Sequence, residues 1–230
     1  MNPEKKTGRA GFSIILLLLA LQGPDLMSQD IRLSLWTDPL LSWFSSDTRE
    51  SANSGIRPGL NTGIGIDRYF RPNYAFSTGV FLTSCGGNIV YSDTIQLSLK
   101  NSSAELLPGD KAVYRIKYLT IPIGIKLRTH QIGYIRFYSN VGLDTRFAIS
   151  RRVNIPAMDI EGESITGELA MLNLGYHLHA GIEYSLGGSA AFAIGLGYEN
   201  TFFDITKDNS GQPDDRINQN LLLVKLGVIF

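Results

Sequence analysis

The clearest pattern of hydrophobic and polar positions lies between Leu172 and Tyr184. Leu172, Leu174, Tyr176, Leu178, Ala180, Ile182 and Tyr184 alternate there with Asn173, Gly175, His177, His179, Gly181 and Glu183. Successive side chains of a strand point to opposite faces, so this segment predicts one apolar face and one polar or bare face. Phe192, Ile194, Leu196 and Tyr198 repeat the rule against Ala193, Gly195, Gly197 and Glu199, and Leu222, Val224, Leu226, Val228 and Phe230 end the chain on it. Five earlier segments share the period. They carry Leu33, Leu35, Leu41 and Trp43 across an interruption at Asp38 and Pro39; Leu60, Ile64, Ile66 and Phe70; Tyr74, Phe76, Val80 and Leu82; Leu119, Ile121, Ile123, Ile125 and Leu127; and Ile135, Phe137, Val141, Leu143 and Phe147. The sum is eight predicted strands.

Their spacing adds a second regularity. Short connections at Arg71 to Asn73, Thr129 to Ile132 and Ser185 to Ser189 alternate with long ones at Ser45 to Arg57, Ser84 to Ala112, Arg151 to Met171 and Asp204 to Ile217. Transmembrane barrels alternate in this way, with short turns on the periplasmic side and long loops outside. The expected fold is therefore all-β: an eight-stranded, antiparallel, up-and-down transmembrane barrel of the outer membrane, with both mature termini periplasmic. A soluble lipocalin-like barrel would turn the apolar set inward around a ligand. Two features favour lipid outside. The polar face is rich in glycine and small residues, a poor aqueous exterior. Aromatic residues also gather at strand ends, with Phe70, Tyr74, Tyr184 and Phe230 near the turns and Trp43, Phe147, Tyr198 and Phe202 near the loops, as at two bilayer interfaces.

The first residues follow a different rule. Lys5, Lys6 and Arg9 precede an apolar run from Ala10 to Leu21, then Gly23 and Pro24. At about twelve residues the run is shorter than the ~20 of a spanning helix, and it reads as a secretory signal peptide over residues 1–28, leaving a barrel domain over 29–230. Without that segment the chain holds 18 cations against 19 anions, and nothing calls for nucleic acid. The single cysteine, Cys85, excludes an intramolecular disulfide and reads as a small hydrophobe at a strand end.

The segment Tyr118 to Lys126, YLTIPIGIK, resembles the tyrosine-leucine-x-isoleucine-proline segment of the PorT-like outer-membrane β-barrel proteins, which continues into apolar residues and a lysine. The glycine-bearing second and third strands, the turn at Arg71 to Asn73 and the ending Leu226 to Phe230 are similar as well. The resemblance covers the whole mature chain and implies an outer-membrane barrel. It does not carry over the secretion role of the member that names the family.

Candidate chemistry lies on the inward parity. Arg32, Lys126, Arg128, Arg136, Arg146 and Lys225 share it with Asp38, Asp67, Asp144, Glu183 and Glu199. Eight strands leave an interior just wide enough for side chains to fill, so these charges are expected to form a hydrogen-bonded network rather than line a diffusion pore. His177 and His179, two apart on one face, are the weak candidates for a metal, and no third ligand accompanies them. No nucleophile, histidine and acid converge at one rim, and neither an enzyme nor a cofactor is expected. Arg115 and Lys117 fall on the outward parity beyond the apolar stretch of the fourth strand, where they serve either as solvated charges or as contacts to lipopolysaccharide phosphates. The long links carry Asp159, Glu161, Glu163, Glu168, Asp204, Asp208, Asp214 and Asp215, with turn chemistry at Asp208 to Gly211. Expected partners are outer-membrane lipid and lipopolysaccharide, the outer-membrane assembly machinery through the terminal Phe230, and an envelope protein that the sequence does not name. The functional expectation is a non-porin structural or interaction protein. The alternatives are a small channel and a lipid-modifying or metal-binding barrel.

Overall fold

The computed structural model describes residues 31–46, 51–99, 103–165, 169–205 and 216–230. The expected signal peptide, Glu168 and the acidic turn of the last link lie outside them. Eight long strands form the wall: β1 (Ile31–Ser46), β2 (Arg57–Arg71), β3 (Tyr74–Tyr91), β4 (Lys111–Arg128), β5 (Ile135–Ile155), β6 (Leu172–Gly187), β7 (Ala190–Thr201) and β8 (Ile217–Ile229). Each pairs antiparallel with the next, and β8 pairs with β1, so the sheet closes. Closure removes the free edges that hydrocarbon would not tolerate.

The apolar period settles which face is which. Leu33, Leu35, Leu60, Ile64, Phe76, Val80, Ile123, Val141, Leu178 and Leu196 are all exposed, whereas Asp38, Asp67, Lys126, Asp144, Arg146, Glu183 and Lys225 are buried. That is the inverse of a soluble barrel. Aromatic pairs mark both rims. At the turn end Phe70 packs on Tyr74 and Phe76, with centroids 6.3 and 4.8 Å away, and Tyr134 on Tyr184. At the loop end Tyr176 packs on Tyr198 and Phe202.

Two prolines gap the hydrogen-bond ladder without shifting it. The β1–β8 pairing runs to Trp36↔Gly227 and resumes in the same register at Leu40↔Leu223. Pro39 has no N–H to give, and the Asp38 carboxylate accepts the Leu226 amide at 3.0 Å instead. The interruption at Asp38 and Pro39 therefore leaves β1 continuous. In β4 the pairing with β3 skips Pro122, and the lipid-facing hydroxyl of Thr78 donates to the Pro122 carbonyl at 2.8 Å.

The long links carry strands of their own, and in the first of them the strand-like runs Asn88 to Tyr91 and Ile95 to Leu99 already point to a hairpin that continues above the membrane. Ser84 to Ala112 and Arg151 to Met171 are not simple loops, because β3 continues to Tyr91, β4 starts at Lys111 and β5 runs to Ile155. A hairpin of Ile95–Ser98 and Ser103–Leu106 fills most of the first link. In the second, Ile160–Ser164 folds back on β5. Within Ser45 to Arg57, Ser51–Asn53 pairs with β3. Beyond the bilayer the one-sided apolar alternation stops while backbone pairing does not, so the sequence period marks the membrane band rather than the strand ends. A spanning strand needs only ~9–11 residues. At 18, 18 and 21 residues, β3, β4 and β5 rise well past it.

A β-bulge on β5 reverses the parity of its upper part. Lys117 pairs Ser150 but Tyr118 pairs Ala148, leaving Ile149 as the extra residue. Below it the odd residues face lipid. Above it Val153 and Ile155 are fully buried and Arg152 faces out.

Candidate functional site

The interior is built in layers. Nearest the turns, Lys126 of β4 reaches Asp67 of β2 at 2.8 Å and Glu183 of β6 at 2.7 Å. One ammonium thus ties three strands across the lumen. Arg128 lies over the Tyr69 ring, 3.8 Å from its centroid, and donates from Nε to the Pro72 carbonyl; Arg32 approaches the same ring at 5.9 Å. Arg136 is half-buried opposite Glu183 in the register and makes no ion pair among the described residues.

The middle layer holds two clusters. Arg146 pairs with Asp144 at 3.1 Å and Glu199 at 2.6 Å, and each carboxylate also meets a histidine, His177 Nδ1 with Asp144 at 2.7 Å and His179 Nε2 with Glu199 at 3.2 Å. The two imidazoles stack with centroids 4.7 Å apart. Each is occupied by a carboxylate, and among the described residues no group of three or more metal ligands forms. In the second, between the neighbouring strands β8 and β1, Lys225 donates to Asp38 at 2.6 Å. From Asp38 a hydrogen-bond belt runs round the wall: Asn61 Nδ2 donates to Asp38 at 2.8 Å, Thr83 Oγ1 to Asn61 Oδ1 at 2.8 Å, and Thr120 Oγ1 lies 3.2 Å from Thr83 Oγ1. Because Thr83 spends its proton on Asn61, Thr120 is the donor in the last link. The belt stitches β8, β1, β2, β3 and β4 together.

The bare positions of the inward face are seats for large side chains. A methyl on Gly142 would come within 2.7 Å of His177, on Gly227 within 2.5 Å of Trp36, on Gly195 within 2.9 Å of the Tyr138 hydroxyl and on Gly87 within 2.3 Å of Phe44. The glycine-rich face is therefore packed, not hollow. Between the layers lies a cavity of about 50 Å³, bounded by Trp36, Phe81, Tyr138, Asn140 and the ionic clusters. At ~10–15 Å³ for one water, that is room for a few waters.

The upper layer is one that sequence reasoning missed. On the loop side the inward face turns apolar, with Phe44, Ile116, Tyr118, Leu221 and Leu223 buried together with Ile95, Leu97 and Leu106 of the hairpin and Val153 and Ile155 of β5. Tyr91 and Tyr114 share a hydroxyl hydrogen bond of 2.7 Å inside it. The hairpin lies in the mouth of the barrel as a stopper. Its signal was available in the alternation Ile95, Leu97, Leu99 and Ala104, Leu106, which has no lipid to face at that height. Cys85 is buried beside this layer and receives a 3.1 Å contact from Gln219 Nε2.

Arg115 and Lys117 stand exposed on the outer wall above the apolar band, as their parity requires. Arg115 is the direct cross-strand neighbour of Arg152.

These features define a closed outer-membrane barrel. A family model described as "Outer membrane protein beta-barrel domain" matches residues 31–218, and the chain belongs to that family. Among solved structures, the chain is similar to Neisserial surface protein A at 11% identity and TM-score 0.49, covering 86% of this chain and 95% of that one. It is similar to the outer membrane protein OprG of Pseudomonas aeruginosa at 12% and 0.45, covering 88% and 97%, and to the outer membrane protease OmpT of Escherichia coli at 8% and 0.41, covering 91% and 99%. At such identities none of them lends this chain its role. No curated protein matches by sequence.

Proposed function

We propose that this protein is a closed, non-porin barrel of the outer membrane that acts as a structural or interaction component, with its long connections outside, both mature termini in the periplasm and its tall β3–β5 wall offered to partners. The observation that carries the reading is the double obstruction of the lumen: an apolar stopper at the loop end and buried ion pairs below it, three of them between strands that are not neighbours. Moving an ion through such an interior means breaking buried pairs, each costing on the order of 3–5 kcal/mol when one partner is lost. The segment YLTIPIGIK supports a PorT-like placement within the family. Each of its inward residues has an interior place, Tyr118 in the stopper, Thr120 in the belt, Pro122 on the small cavity, Gly124 beneath His177 and Lys126 as the cross-lumen tie. A catalytic role for the Asp144–His177 pair is disfavoured by its burial, with both residues almost wholly shielded from solvent.

Reconstitution of the purified chain in planar bilayers tests the reading. No discrete conductance steps are expected under voltage. Reproducible steps that vanish when the protein is omitted would replace the interaction reading with the channel one.

A further inference from the structure

Above the apolar band, four cations converge on the outer wall: Arg57 at the start of β2, Arg115 and Lys117 on β4 and Arg152 on β5. They border a concavity of about 670 Å³, within the ~300–1,000 Å³ typical of ligand sites. None of the four has an ion-pair partner among the described residues, although Glu161 and Glu163 lie on the strand packed against β5. Two further observations set this apart from ordinary solvated charge. Arg115 and Arg152 face each other directly across the β4–β5 ladder, a like-charge placement that is unfavourable unless an anion lies between. The second is the bulge. Arg152 has the parity of Arg146 and would point into the barrel; the extra residue Ile149 turns it outward beside Arg115. Bulges commonly re-aim a side chain in this way.

The patch also faces the right neighbour. It continues the same outer surface that carries Leu82 and Phe147, and Ile149, 58% exposed, lies among the cations. A ligand seated here meets guanidinium and ammonium groups at its head and lipid-facing side chains at its tail. We propose that Arg57, Arg115, Lys117 and Arg152 form a site for the phosphorylated headgroup of an outer-leaflet glycolipid, lipopolysaccharide in kind, bound by charge-assisted hydrogen bonds to its phosphates. The inference rests on the proposed orientation that places this rim at the outer leaflet, and it does not depend on whether the lumen is closed.

The test uses the full mature chain in detergent and, as probe, bis-phosphorylated lipid A, with its dephosphorylated form, inorganic phosphate and a soluble sulfated polysaccharide as separate arms. Native mass spectrometry counts bound lipid for the wild type, for R115Q/R152Q, and for R71Q at the turn end as a control. The wild type and R71Q are expected to retain the bis-phosphorylated lipid, and R115Q/R152Q to bind it at least about tenfold more weakly, since two charge-assisted contacts are lost. A stability readout guards against a merely structural role. R152Q should raise the unfolding temperature in lipid-free detergent, where the opposed arginines repel, and lower it relative to wild type once the lipid is present. Equal lipid retention by R115Q/R152Q would overturn the site, as would equal binding of the dephosphorylated lipid. Preference for the soluble polyanion would reassign the patch to an extracellular acidic glycan. Surface labelling of a cysteine placed in the Ile95–Leu106 hairpin checks the orientation separately, so a failed orientation and a failed site give different results.

Discussion

Single side chains decide whether this interior is sound, and Lys126 is the most exposed to test. Its ammonium is the only cation within ion-pair distance of both Asp67 and Glu183 among the described residues. Lys126→Met would leave two buried carboxylates facing each other, and the expected loss is about 3–5 kcal/mol, read from urea unfolding of the lipid-reconstituted protein. The triple variant D67N/K126M/E183Q should recover much of it, because neutral groups no longer repel. No loss in K126M, or no recovery in the triple variant, would sink the cross-lumen tie. Gly142 is a test of the packed glycine face. An added Cβ there meets the Ile123 carbonyl at 2.3 Å and the Gly124 Cα at 2.5 Å, backbone atoms that cannot swing aside. Gly142→Ala is expected to reduce the folded fraction, scored by heat-dependent mobility in a gel. An unchanged folded fraction would show that the wall yields at this position. The inward parity of Asp38, Lys126 and Arg146 could be read directly from period two, since a closed strand has only two faces. Which cation meets which carboxylate could not, because partners such as Lys126 and Glu183 sit on strands β4 and β6 that are not neighbours.

At the scale of the element, strand register does what side-chain chemistry alone cannot. The bulge at Ile149 divides β5 into a membrane part that shows lipid its odd residues and an upper part that buries Val153 and Ile155 in the stopper. Removing Ile149 would only close the bulge, since Ser150 would follow Ala148 and still pair Lys117, whereas adding one residue between Ser150 and Arg151 turns Arg152 inward and both apolar residues out. Hydrogen exchange should then quicken over Lys111–Tyr118 and Arg151–Ile155 while the lower barrel keeps its protection. Unchanged protection in the upper segment would show that the facing of Val153 and Ile155 does not hold the stopper. This boundary explains what was legible in the chain. Within the band, lipid on one side and packing on the other impose a strict period, and the outward residues of all eight strands follow it. Beyond the band there is water outside and a hydrophobic stopper inside, so runs such as Asn88 to Tyr91 carry strand signals with no lipid-facing partner to set their extent. The bulge itself leaves no mark in composition, and Arg152 was therefore read as part of a link.

For the whole molecule, the arrangement is a barrel sealed twice by different physics. The stopper is held by apolar burial and by the bridge of Leu99 to Ile165, which ties the hairpin region to the strand packed on β5. The lower seal is electrostatic and hydrogen-bonded, from the Asp38 belt to the Arg146 cluster. Two independent seals predict that losing one leaves the barrel closed. Replacing Ile95–Leu106 by a short glycine-serine link should expose the apolar mouth and lower the unfolding temperature, yet produce no steady conductance in a planar bilayer. Adding D38A/K225A to the hairpin deletion removes a buried ion pair between the neighbouring strands β1 and β8 and breaks the belt at its origin, and current should appear only in that combination. Steady current from the hairpin deletion alone would mean that the ionic layer is a permeable lining rather than a plug. The channel reading would then describe the molecule better than the closed one.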